Sequence, residues 1–412
     1  MTPGDADHRA RQRADLLRFM AGARRPEGFG WLRGDGTVDP GRPVELWITC
    51  RMTHVACLGV LAGEPPAPGG PDAAALADLA AHGVEALLGP LRDGEYDGWF
   101  AAVDGSGPVD DAKRAYAHAF VVLAGSSATA AGVPGARGLL DAATAVEERR
   151  FWDDGPGLVV EDWDRAWTRL EDYRGLNANM HTLEAFLAAG DVTGDPRWHE
   201  RAGRVAAHVV AWAAAHGDRL PEHFDTSWVP RLDFNRDRPA DPFRPFGATV
   251  GHGLEWARLL LQTEATLGPG APEGLRGTAV ALFDRAVADG WDADGADGFV
   301  YTTDWDGAPV VRERMHWVVA EAVNAASALA RVTGEQRFAD DAIRWWRYAD
   351  RFLLDHERGS WHHELDPANG PSDTVWPGKP DVYHAYQAAL FPDVPLAPSF
   401  AAALAAGGAA LH

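Results

Sequence analysis

Two histidines with carboxylates at helical spacing are the residues of this chain best suited to chemistry. The first lies in Gly251-His252-Gly253-Leu254-Glu255-Trp256-Ala257-Arg258-Leu259-Leu260. There His252 and Glu255 stand three apart and share one helix face, and the leucines that follow carry the segment into a core. A carboxylate beside an imidazole sets its tautomer and basicity, and histidine titrates near neutral pH, as a general base must. The second lies in Gly378-Lys379-Pro380-Asp381-Val382-Tyr383-His384, where proline starts a helix and Asp381 precedes His384 by three. One such pair alone is better explained by a satisfied core histidine. What favours chemistry is recurrence.

Four further segments carry polar side chains at the same spacing. In Glu45–His54, Trp47 and Arg51 are four apart on one face, and an arginine among apolar neighbours needs a carboxylate or a polyhydroxy ligand as partner. In Asp110–His118, Tyr116 can turn its hydroxyl inward while Lys113 and Arg114 face water. In Tyr173–Glu184, Asn177, His181 and Glu184 fall in line, and asparagine disfavours helix interiors, so the line implies a buried network or a ligand. In Arg314–Glu321, Trp317 and Glu321 form an aromatic platform with a carboxylate beside it. A cavity of His, Asn, Arg, Glu and Trp fits the hydroxyls and flat face of a sugar, and two such histidines suit moving a proton next to a carbonyl.

Other chemistries find less support. The chain holds no H-E-x-x-H, C-x-x-C, G-x-S-x-G or Walker loop, and no ligand set is recognisable by metal spacing, so neither metal nor cofactor is expected.

The elements that must position these residues are helices. Apolar residues recur at helical spacing over 8–20, 45–62, 72–89, 111–124, 136–148, 176–190, 197–215, 252–267, 273–289, 315–331, 336–354 and 381–390. Short Gly-aromatic turns such as Asp97-Gly98-Trp99-Phe100 and Asp297-Gly298-Phe299-Val300-Tyr301 lie between them and predict small β-hairpins. Val192-Thr193-Gly194-Asp195-Pro196-Arg197-Trp198 returns as Val332-Thr333-Gly334-Glu335-Gln336-Arg337-Phe338, a helix stop followed by a helix start. These offsets fit a unit of roughly 65 to 70 residues. Six helical hairpins suggest one all-α domain over 1–412, closed into an inner and an outer ring, because an open solenoid leaves apolar ends bare. The starts of the inner helices then surround one cavity, and 225–247, rich in Pro, Arg and Asp, is expected to loop over its mouth.

Composition narrows the partners. Sixty acidic against 38 basic residues give a net charge of −22 with no basic stripe, which argues against nucleic acid and anionic membrane. No run reaches transmembrane length, and the charged start lacks a signal-peptide core, so a cytoplasmic monomer or homodimer is expected. Cys50 and Cys57, seven apart, read as small core residues. Seventeen tryptophans exceed ordinary usage; most would fill a large helical core, and the rest would serve a sugar cleft.

At Trp47–His54 (WITCRMTH), Tyr173–His181 (YRGLNANMH), Gly251–Leu260 (GHGLEWARLL), Arg314–Glu321 (RMHWVVAE) and Asp381–His384 (DVYH), the chain resembles the N-acylglucosamine 2-epimerase superfamily. Within it the aldose-ketose isomerases, acting on mannose or sulfoquinovose, are more similar than the epimerases. The resemblance implies a metal-independent (α/α)6 barrel, His252 and His384 as the acid/base pair, and Arg51, Asn177, His181 and Glu255 on the sugar. It also implies that Trp47 and Trp317 line the cavity, with Tyr116 as a further contact. Glu321 and Asp381 are expected beside the substrate as well. The implied reaction carries a proton between C2 and C1 of an opened aldose such as mannose or lyxose through a cis-enediol. Rival readings are a sugar 2-epimerase on the same scaffold, a glycoside hydrolase with facing carboxylates, and a binding protein without turnover.

Overall fold

Helix boundaries fall where side chains or glycines can satisfy helix ends. In the computed structural model, which describes residues 2–407, Asp5, Asp72 and Asp195 cap helix starts by accepting from backbone N–H groups, and Pro196 occupies the first turn of its helix. Gly194 and Gly334 take the left-handed conformation that ends a helix, with φ of 73° and 71°. The hydroxyls of Thr193 and Thr333 then accept from Asp195 N and Glu335 N, so the repeated heptapeptides are the same stop-and-start device.

The helices are α1 (Ala6–Met20), α2 (Leu46–Ala62), α3 (Ala73–Leu88), α4 (Ala115–Ala130), α5 (Ala136–Val146), α6 (Leu176–Thr193), α7 (Pro196–Ala215), α8 (Val250–Leu267), α9 (Leu275–Gly290), α10 (His316–Thr333), α11 (Gln336–Tyr348), α12 (Tyr383–Leu390) and α13 (Phe400–Gly407). Burial sorts them into layers. In α2 every residue from Leu46 to Gly59 is buried, whereas α11 buries only Phe338, Trp345, Trp346 and Tyr348. A helix covered all round must be central, and one with a single apolar stripe must be peripheral. Accordingly α2, α4, α6, α8, α10 and α12 each pack on the next and α12 returns to α2, while α3, α5, α7, α9 and α11 lie outside. This is the expected (α/α)6 barrel. Each fully buried side chain of leucine size contributes about 1.5–3 kcal/mol, and the core runs unbroken between the rings.

Short antiparallel pairs close each unit. The residues leading into an inner helix pair with those leaving the outer helix of the same hairpin: Val44 with Val103, Lys113 with Trp163, Arg174 with Phe224, Ala248 with Thr303, and Arg314 with Leu365. These clips hold the inner-helix starts at one end of the ring. The sixth unit is different. Its inner helix α12 comes from the C-terminal part of the chain and its outer helix α1 from the N-terminal part, α1 packing on α12 and α2. Lys379 N donates to Leu32 O at 2.9 Å and joins the two.

Two details depart from the sequence expectations. Lys113 does not face water: it is fully buried against Asp93 at 2.8 Å, inside a cluster that includes Arg165. Helix α13, mostly alanine and so without a visible period, packs on α2, α4 and α6 and covers the end of the barrel opposite the inner-helix starts. Cys50 and Cys57 are buried and unpaired with each other. Among the described residues no helix is long and apolar enough to cross a membrane.

Candidate active site

The starts of the inner helices line one cavity. Ten of the residues expected there line it: Trp47 and Arg51 from α2, Tyr116 from α4, Asn177 and His181 from α6, His252 and Glu255 from α8, Trp317 from α10, and Asp381 and His384 at the start of α12. Glu321, expected beside the substrate, lies one turn deeper and does not line the cavity. The segment 225–247 reaches over the mouth with Pro242, Phe243 and Pro245. The Phe243 ring stands 5.1 Å from that of Trp376 and 6.3 Å from that of Trp47. Of the seventeen tryptophans, Trp47, Trp317 and Trp376 serve the cavity, and Trp99, Trp256, Trp345 and Trp361 are wholly buried in the core.

Each candidate base has a carboxylate behind it, though not the one that sequence spacing suggests. The Nδ1 of His252 donates to Glu222, 2.9 Å from both oxygens, and not to Glu255. Glu222 arrives on the extended residues that clip the start of α6. The Nδ1 of His384 donates to Glu321 Oε1 at 2.9 Å, and not to Asp381. Asp381 instead accepts from Arg51 at 3.2 Å and from the Tyr383 backbone N–H. A carboxylate only accepts when ionised, so each pair fixes the proton on Nδ1 and leaves Nε2 as the free base nitrogen. The Trp317 ring lies against both imidazoles, with centroids at 5.2 Å from His252 and 5.7 Å from His384. Burial, with Arg51 nearby, holds the His384 imidazole well below its usual pKa and therefore neutral.

Beneath the cavity floor three carboxyl groups share one guanidinium. Arg258, fully buried, donates to Glu321 at 2.9 Å, to Glu255 at 3.3 Å and to Gln262 at 2.8 Å, with Glu184 4.0 Å away. Burial and the neighbouring Glu321 carboxylate push the Glu255 carboxyl well above its usual range. Glu184 goes the other way. Burial alone would raise it, but His181, Arg258 and Tyr383 hold it well below the carboxylate norm. His181, whose Nδ1 is 3.6 Å from Glu184, is lowered to about 4 by burial and is neutral. The ligand atoms of His181, Glu184 and Glu255, and those of Glu255, Glu321 and His384, each lie within 4.8 Å of one another. The expectation that no set has metal-like spacing thus does not hold in space, and the cation among these acids is Arg258.

Several polar atoms around the cavity have no protein partner: Asn177 Oδ1, Arg51 Nε, His316 Nε2 and Trp376 Nε1. A buried polar atom without a hydrogen bond costs about 1–3 kcal/mol, which a polyhydroxy ligand would recover. Sequence spacing overlooked Glu222, Arg258, His316 and His363. Arg258 carried the signal already used for Arg51, an arginine in the apolar run Leu254–Leu261.

Comparison with known proteins agrees with this geometry. The family profile of N-acylglucosamine 2-epimerase (GlcNAc 2-epimerase) matches residues 28–388. The chain is 55% identical to the D-mannose isomerase of Thermobifida fusca over 410 residues, covering 98% of each chain. It is 47% identical to that of Pseudomonas cannabina pv. alisalensis, covering 95% of this chain and 93% of the relative. A crystal structure of D-mannose isomerase superposes with a TM-score of 0.86 at 26% identity, covering 94% of this chain and 97% of the other. With the profile spanning most of its length, the fold matching and both paired histidines opening onto one cavity, this chain belongs to the N-acylglucosamine 2-epimerase family.

Proposed function

We propose that this sugar isomerase interconverts D-mannose and D-fructose, and D-lyxose and D-xylulose as the shorter homologues. The observation that carries the reading is the pair of imidazoles, each held by its own carboxylate with Nε2 free, on one cavity where several other polar atoms lack partners. With the sugar opened, His384 Nε2 takes the proton from C2, leaving a cis-enediolate. His252 Nε2 carries the proton of the C2 hydroxyl to the C1 oxygen, His384 returns its own to C1, and the ketose forms with both imidazoles neutral again. Glu222 and Glu321 steady the two imidazolium states. Glu255 and Asn177, with Arg51 charged between Asp381 and Tyr116, hold hydroxyls.

Sulfoquinovose suits the site less well. Its sulfonate needs an uncompensated cation, and the cavity's one cation, Arg51, is already paired with Asp381. Arg174 donates to backbone carbonyls, Arg244 pairs with Glu171, and Arg231, Arg236 and Arg238 are exposed on the loop. The deciding experiment incubates the enzyme with D-mannose, D-lyxose, D-glucose and sulfoquinovose and identifies the products by NMR. Fructose as the first product from mannose supports the isomerase; glucose as the first product would make the enzyme a 2-epimerase, with the two histidines on opposite faces of the enediol.

Two further outcomes are expected. Glu222→Gln weakens the hold on the His252 tautomer and lowers kcat by at least about tenfold with KM little changed, as for other carboxylates that orient a catalytic imidazole; unchanged kcat would remove Glu222 from the machinery. Exhaustive chelation leaves turnover unaltered because Arg258 already neutralises the buried acids. Activity lost on chelation and restored by a divalent ion would show that a metal takes part.

A further inference from the structure

His316 and His363 lie at the cavity wall beyond His384, and nothing in the reaction above uses them. Their rings stack with centroids 3.8 Å apart at 23°, and the His316 ring stands 6.5 Å from that of His384. Their protons can be placed from their partners. The Nδ1 of His316 faces the His363 carbonyl at 3.3 Å, and the Nε2 of His363 faces the Asp381 carbonyl at 3.0 Å. A carbonyl oxygen only accepts, so those nitrogens carry the hydrogens. Burial lowers His316 to about 4 and His363 well below its ordinary value, so both rings are neutral. His316 Nε2 and His363 Nδ1 are therefore bare lone pairs. His316 Nε2 is buried, without a partner, on a residue only 4% exposed.

We infer that His316, braced by His363, is a specificity-determining acceptor that takes a hydrogen bond from a non-reacting hydroxyl of a neutral sugar. The inference rests on the proposed sugar substrate. A ring whose other nitrogen is tied to the backbone cannot pass a proton along, which suits a hydroxyl that is held and not one that reacts. Two lone pairs also offer nothing to a phosphate or sulfonate oxygen, so this wall selects uncharged substrates. Rotation cannot turn the His316 imidazole into a donor here without breaking its bond to the His363 carbonyl.

Steady-state kinetics of wild type and His316→Phe on D-mannose and its 3-, 4- and 6-deoxy analogues test the inference. For mannose the variant should raise KM at least about fivefold, the loss of one hydrogen bond to a buried acceptor, and leave kcat within about threefold. For one deoxy analogue, lacking the hydroxyl that is read, the variant should lose nothing further. His316→Gln, which keeps an acceptor oxygen, should recover part of the mannose loss. Equal losses on all four sugars, no loss on mannose, or a glutamine variant no better than phenylalanine would each overturn the assignment, folding being checked by circular dichroism. Binding of D-mannitol, an inert open-chain hexitol, followed by tryptophan fluorescence separates this from the reaction itself. If wild type binds mannitol but turns over no mannose, the reaction assignment fails, and the acceptor role then stands or falls on whether His316→Phe weakens mannitol binding at least fivefold.

Discussion

Replacing His384 by alanine is expected to lower turnover by about 10²- to 10⁴-fold, the range for losing a positioned acid/base group, with the fold retained. His384→Ala removes the free Nε2 that faces the cavity and releases the Glu321 carboxylate behind it. His252→Ala is expected to act alike through Glu222. Because the two groups work on one proton circuit, the double variant should fall little below the worse single one. Solvent exchange into deuterium oxide distinguishes their parts. A variant that still washes the C2 proton of mannose into solvent retains the carbon base, and one that does not has lost it. Near-wild-type turnover in either single variant would remove that histidine from the reaction.

The largest stability effect is expected at Arg258. Arg258→Met keeps the length and apolar stem of the side chain but leaves Glu184 and Glu321, both buried, without their shared cation. Stranding a buried charge in this way costs about 3–5 kcal/mol. The penalty should depend on pH. In wild type the Glu184 carboxyl is held below its unfolded value, so its contribution is present above about pH 4.5 and is lost as pH falls through the lower folded value. In the variant the stranded carboxyls rise above their unfolded values and stability changes in the opposite sense, fullest at low pH and lost as pH climbs. Urea midpoints should therefore lie closer to wild type at pH 5 than at pH 8. A deficit under about 1 kcal/mol, or one equal at both pH values, would mean that Arg258 does not balance these acids.

Most of the architecture could be read from the sequence because helical period and capping are local. Helices α1 to α12 and the stop-and-start heptapeptides follow from spacings within one segment, and the ring from the offsets at which those segments repeat. Helix α13 escaped because Phe400–Gly407 is mostly alanine and has no polar face to set a period. The site was legible as a set of residues and not as a set of pairs. Three-residue spacing put Glu255 beside His252 and Asp381 beside His384, yet their Nδ1 partners come from the extended segment at Glu222 and from Glu321 on α10. A histidine's partner is chosen by which element crosses its ring, and that is tertiary information. Lys113 misled for a related reason. Its long apolar stem and one buried acid, Asp93, are enough to keep it inside, and nothing near it in sequence says so.

The unit in which α12 meets α1 decides when the enzyme becomes competent during synthesis. Five hairpins can form as they leave the ribosome, each clipped by contacts within its own span, and His252 and Glu222 are then in place. The sixth forms only when α12 reaches α1, far earlier in the chain, and His384 rides on it. Until that seam closes the barrel is a catalyst with one hand missing.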